Sequence, residues 1–122
     1  MKNRKLRQSF ANAWTGVVES LKSERNLRIH VGVMSLAVAG GIALSIDPVR
    51  WAAIFISCGA VLVTELLNTA VERLVDMVTT DHCEEARQVK DMAAGAVLVA
   101  AFFAVLTGIA VFLEPILQLF AH

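Results

Sequence analysis

The sequence predicts an all-α membrane protein: an N-terminal amphipathic surface helix followed by three transmembrane helices. Three observations lead there. Apolar residues make up 57% of the 122-residue chain and charged residues only 18%, where a soluble domain carries about a quarter. The apolar residues gather into runs over 29–46, 51–63 and 93–113, and crossing a hydrocarbon core of about 30 Å takes about 20 mostly apolar residues. Zero net charge conceals a division: seven of the eleven Lys and Arg precede residue 30, and seven of the eleven Asp and Glu lie between 65 and 91. This length predicts one domain, 1–122.

The elements follow in order. Over 6–22, Leu6, Phe10, Ala13, Trp14, Val17, Val18 and Leu21 recur at helical spacing, with Lys5, Arg7, Gln8, Asn12, Thr15, Glu19 and Lys22 on the other side. A basic amphipathic helix with a Trp, next to a span, is expected to lie in the membrane interface. Packing on its own bundle is the alternative, but little soluble protein remains to receive it. The first span is expected over 29–46. A cleaved signal peptide does not fit, because 28 residues precede the run and two more runs follow. Gly40 and Gly41 permit close helix approach, and Asp47-Pro48 closes the hairpin. The second span is expected over 50–76, a polar linker over 77–89, and the third span over 92–113, opening with the small residues Ala93 to Ala96. Lys and Arg number seven in the amino segment, one in the turn 47–50, three from Arg73 to Lys90 and none after Leu113. The amino end and the second loop are therefore expected in the cytoplasm, with the Pro48 turn and the carboxy end outside.

Polar residues inside this apolar chain carry the chemistry. Glu65, Asn68, Glu72 and Asp76 share one helix face at about 100° per residue. Carboxylates at the edge of a bilayer core are expensive, which makes the stripe a candidate site. There is no phosphate loop, kinase Gly-rich loop, His-Arg-Asp, dinucleotide fingerprint or nucleophile elbow. Nothing calls for nucleic acid. The two cysteines predict no disulfide, and adjacent His82 and Cys83 fall short of a four-ligand zinc site. Carboxylates, an amide and cations at a membrane surface suit phosphoryl transfer, which needs positioning, charge neutralisation by Mg²⁺ and a base for the attacking hydroxyl. Glu65 is the deepest carboxylate and a credible base. Glu72 lies two turns nearer the cytosol, within reach of a hydrated metal. Plainer roles stand beside these: Asn68 as interhelical glue, Lys90 as a positive-inside anchor, His30 as a polar residue at a helix mouth, Trp14 and Trp51 as interface anchors. A small proton-coupled transporter using Glu65, or a non-catalytic membrane subunit, are the readings from other classes.

The pattern Glu65-x-x-Asn68-Thr69-Ala70-Val71-Glu72-x-x-Val75-Asp76, followed by Lys90-Asp91-x-Ala93-x-Gly95-Ala96-Val97, resembles the bacterial integral-membrane lipid kinases, the diacylglycerol kinase and undecaprenol kinase family. Ser9-Phe10-x-x-Ala13-x-x-Gly16 and Glu24-Arg25-Asn26-x-Arg28-Ile29-His30 add to the likeness, which runs from residue 9 to about 110. The second of these junctions looks like the undecaprenol kinase branch. The resemblance implies ATP-dependent phosphorylation of a lipid alcohol, undecaprenol first and diacylglycerol as the alternative. It also implies a homotrimer in the bacterial plasma membrane, with sites composed across subunits. By the same resemblance Glu65 is the catalytic base with Asn68 one turn away. Glu24 and Glu72 hold Mg²⁺ with the ATP phosphates. Lys5, Lys90 and Asp91 contact the nucleotide, and Arg28 lies near the lipid entrance. Two positions depart from the pattern. Cys83 stands where the family commonly has His, and Asn12 where it often has an aromatic. Contacts from His82, Cys83 and Asn12 are left open.

Overall fold

A computed structural model describes residues 2–121, with side chains from Lys5 onward; Met1 and His122, the ends of the expected 1–122 domain, lie outside it. Four helices follow one another: α1 (Lys2–Ser23), α2 (Arg25–Ala43), α3 (Pro48–Val78) and α4 (Glu84–Phe120). The last three are each long and apolar enough to cross a membrane. The most extensive packing joins α3 to α4; α2 lies against α3, and α1 touches α2 and α3 only near its end.

Each break has a local cause. Glu24 adopts extended backbone (φ −110°, ψ 111°) between α1 and α2. Arg28 then donates from Nη1 to the carbonyls of Leu21 and Lys22 at 2.8 and 2.9 Å. A cation on the last carbonyls of α1 satisfies acceptors that the helix leaves orphaned and complements its dipole. At the far end of α2, Ser45 takes φ +50°. The Ser45 amide donates to Ile42 O and the Ile46 amide to Gly41 O, both at 3.2 Å. This is the Schellman pattern, with its apolar contact placed on a glycine. A Cβ on Gly41 would lie 2.9 Å from Ile46 Cδ1 and 2.8 Å from Trp51 Cη2. Asp47 caps α3 by accepting from the Arg50 amide at 2.9 Å, and Pro48 occupies the first helical position, where no amide is required.

Two expected boundaries are corrected. The sequence predicts the first span over 29–46, but the helix is Arg25–Ala43, because the left-handed Ser45 ends it before the apolar residues stop. The linker expected over 77–89 shrinks to residues 79–83, and α4 extends as helix beyond both ends of the span expected over 92–113, as far as Phe120. Polar Glu84–Lys90 is helical through local electrostatics. Glu84 and Glu85 fill the positive first turn, while Arg87 pairs with Glu84 and, at 2.6 Å, with Asp91 one turn on. Pro115 lies inside α4 and the helix continues past it.

Two charged rungs tie α3 to α4. Arg50 donates from Nη2 to Glu114 Oε2 at 2.9 Å, and Lys90 Nζ donates to Asp76 Oδ1 at 2.7 Å. At 1.5 Å per residue they stand about 39 Å apart along α3 and about 36 Å along α4. That brackets a hydrocarbon core of about 30 Å. Between them the outward faces are apolar and bare, with Leu36 74%, Ile56 74% and Leu98 72% exposed.

Replacing Ser45 by Gly removes the cost of a left-handed non-glycine residue. The unfolding midpoint in detergent should rise, by about 1 kcal/mol in stability. Gly41→Ala should lower it by about 1–2 kcal/mol, since the Trp51 ring must shift to admit the methyl. An unchanged midpoint for both substitutions would refute this account of the turn.

Candidate functional site

The polar stripe faces into the bundle, not toward the open faces. Glu65 is 3% exposed, Asn68 8% and the neighbouring Thr69 4%. Glu72 is half-buried, and Asp76 is exposed at the end of the row. Counted from Arg50, Glu65 lies about 22 Å along α3, inside the apolar slab, and Glu72 about 33 Å along, at its boundary. One helix face therefore runs from hydrocarbon to water in three turns.

Side-chain contacts hold the row. Asn68 Nδ2 donates to Glu72 Oε1 at 3.2 Å. Asn68 Oδ1 is buried and has no partner among the described residues. A buried acceptor left bare costs about 1–3 kcal/mol, so a bound group that engages it recovers that cost. His30 Nε2 of α2 lies 3.6 Å from Glu65 Oε2. Arg73 reaches across from α3 to the α1–α2 junction, donating to Ser23 Oγ at 2.8 Å and lying 3.6 Å from Glu24 Oε1.

At the other end of the stripe the α3–α4 turn forms a polar cleft of ≈ 290 Å³. Asp76, Thr79, His82, Cys83, Lys90 and Asp91 are among its lining residues. Both charged candidates there are already engaged, Lys90 with Asp76 and Asp91 with Arg87. The Asp76 carboxylate, bonded to the ammonium, holds Lys90 above its ordinary value of 10.5, and Glu72 adds a weaker pull.

The candidates from sequence thus fall into groups. Glu65, Asn68 and Glu72 form one continuous row; Lys90 and Asp91 border the cleft at its end. Glu24 is held at the junction by Arg73. Arg28 is spent on the end of α1. Lys5 is exposed near the start of α1, about 28 Å along the helix from Glu24. Among the described residues, no three His, Cys, Asp or Glu side chains of one chain converge as a metal cage. Mg²⁺ does not need one, since it takes one or two carboxylates together with substrate phosphates and keeps several waters. Carboxylates at the slab boundary beside an unpartnered amide oxygen are hard donors of the kind it accepts. Sequence reasoning did not place His30 beside Glu65 or Arg73 beside Glu24. Both act on carboxylates of other segments, 35 and 49 positions away, a relation no local pattern encodes.

Residues 11–112 match the family described as prokaryotic diacylglycerol kinase. The chain is 36% identical over 109 residues to an undecaprenol kinase of Bacillus subtilis (strain 168), covering 89% of each. To a diacylglycerol kinase of Synechocystis it is 38% identical over 112 residues, covering 91% of this chain and 64% of that one. To a diacylglycerol kinase of Escherichia coli K12 it is 30% identical over 95 residues, covering 78% of each.

The Lys90–Asp76 rung gives a pH signature. Lys90 titrates higher in the folded chain than unfolded, so its contribution to stability is complete below about 10.5 and is lost as pH rises through the raised folded value. Asp76→Asn should flatten the loss of unfolding midpoint in that alkaline window. A slope identical to that of the parent chain would show that the rung carries no linkage.

Proposed function

The chain belongs to the prokaryotic diacylglycerol kinase family and is a membrane lipid kinase; we propose that it transfers the γ-phosphoryl group of ATP, with Mg²⁺, to undecaprenol. The undecaprenol kinase relative matches it over nearly all of both chains, and this favours that alcohol over diacylglycerol. The observation that carries the chemistry is the depth of the row. A carboxylate buried inside the slab, Glu65, stands two helical turns from one at its edge, Glu72. A lipid alcohol keeps its chain among acyl tails and its hydroxyl near the interface, between those two depths.

In this reading Glu65 accepts the proton of the lipid hydroxyl as the hydroxyl oxygen attacks the γ-phosphorus, the bond to the β–γ bridging oxygen breaks and ADP leaves. Asn68 fixes Glu72 through its amide hydrogen bond and keeps its free oxygen toward the site. Glu24 and Glu72 would hold Mg²⁺ with the phosphates. Bound there, the metal supplies neutralisation of phosphate charge and an anchor for the nucleotide. Lys90 exchanges Asp76 for a phosphate oxygen, Asp91 and the cleft at the α3–α4 turn receive the nucleotide, and Lys5 meets the phosphates from a neighbouring copy. Arg28 sets the angle of α1 beside the lipid entrance. The bare apolar faces of α2, α3 and α4 are then shared between lipid and two further copies in a homotrimer, with Glu24 of one copy completing the site of the next. The α1 helix lies in the cytoplasmic interface with Leu6, Phe10 and Trp14, all exposed, toward the acyl chains. The active site faces the cytoplasm of a bacterial cell, across its plasma membrane, and the carboxy end lies outside.

Purified protein with labelled ATP, Mg²⁺ and either undecaprenol or diacylglycerol decides the substrate. The expected result is faster turnover on the polyprenol; preference for diacylglycerol would overturn that assignment. Glu65→Gln should lower kcat by about 10²–10⁴-fold while the ATP KM holds. Glu72→Gln should instead shift the Mg²⁺ requirement upward.

A further inference from the structure

We propose that His30 is a positioning residue for phosphoryl transfer: it orients the Glu65 carboxylate at the end of an apolar groove and so sets where a lipid hydroxyl stops. This rests on the reading of Glu65 as the proton acceptor. The groove lies between α2, α3 and α4, holds ≈ 400 Å³, and is lined chiefly by apolar side chains such as Met34, Ala37, Ile54, Val105 and Phe112. Among the described residues, His30 is its only basic lining residue. The His30 side chain is 24% exposed, that of Glu65 4%. The imidazole is therefore the point where an apolar channel and a buried carboxylate meet.

Glu65 has no other basic partner among the described residues. Glu65 is not itself among the groove's lining residues, so its carboxylate meets the groove beside the imidazole, and its rotamer decides whether an oxygen is presented there. At 3.6 Å the Nε2–Oε2 separation is beyond hydrogen-bonding distance. A small rotation closes it, as catalytic hydrogen bonds commonly tighten when substrate binds. An imidazole N–H on Oε2 leaves Oε1 free for the lipid hydroxyl. Fixing the acceptor in this way acts on the reacting geometry and not on nucleotide affinity, since the nucleotide cleft lies beyond the opposite end of the row.

The experiment measures kcat, the ATP KM, the lipid KM and the unfolding midpoint for the full chain carrying His30→Leu, His30→Gln or Glu65→Gln. His30→Leu should lower kcat by roughly 10- to 100-fold with the ATP KM and the midpoint unchanged. His30→Gln, which keeps a donor of similar reach, should recover most of the loss. Parent-like kcat in His30→Leu overturns the proposal. So does an equal loss in the Leu and Gln variants, because packing alone would then explain it. Full activity in Glu65→Gln instead overturns the base assignment itself. A dead Glu65→Gln beside a fully active His30→Leu removes only the role of His30.

Discussion

The register between α3 and α4 is the constraint on which the rest depends. The packing of α3 on α4 holds it, and two ion pairs at opposite ends, Arg50–Glu114 and Asp76–Lys90, mark where it stands. Exposed pairs like these add little stability one by one. Their consequence is positional. With the ends of both helices held at the water boundaries, every residue between has an assigned depth. Glu65 is thereby held inside the bundle at hydrocarbon depth, with Glu72 near the margin. Sliding α4 by one turn would move its polar end about 5 Å and part Lys90 from Asp76.

A second set of contacts governs the junction between α1 and α2. Arg28 closes the end of α1, and Arg73 bonds Ser23 while lying beside Glu24. Two arginines from different helices thus stabilise one extended residue. Glu24 is presented on a held corner instead of a free hinge. The alignment of α1 is set there, since beyond its last turns it has almost no packing of its own.

Burial within one chain is sparse, and this follows from the solvent. In lipid, apolar side chains gain nothing by leaving the surface for a core, so faces such as those of Leu36 and Leu98 remain open. Inward positions go to residues that lipid would penalise, Glu65, Asn68 and Thr69, to a small apolar cluster of Ile46, Ile54 and Val111, and to small residues that allow close approach, such as Gly41.

Much of this was legible in the chain. Apolar run length alone determines three spans, because hydrocarbon thickness is a fixed requirement. The 3.6-residue period places Glu65, Asn68, Glu72 and Asp76 on one face whatever that face meets. The polar start of α4 escaped a reading by apolar content, since i,i+4 pairs and the helix dipole sustain it, and the left-handed Ser45 ended α2 inside an apolar stretch. Which way the stripe faces, that Arg28 caps α1, and that His30 meets Glu65 were decided only by the tertiary structure. Each depends on how far one helix is rotated about its axis against another, and that angle is set by packing between distant segments, which no local spacing of residues records.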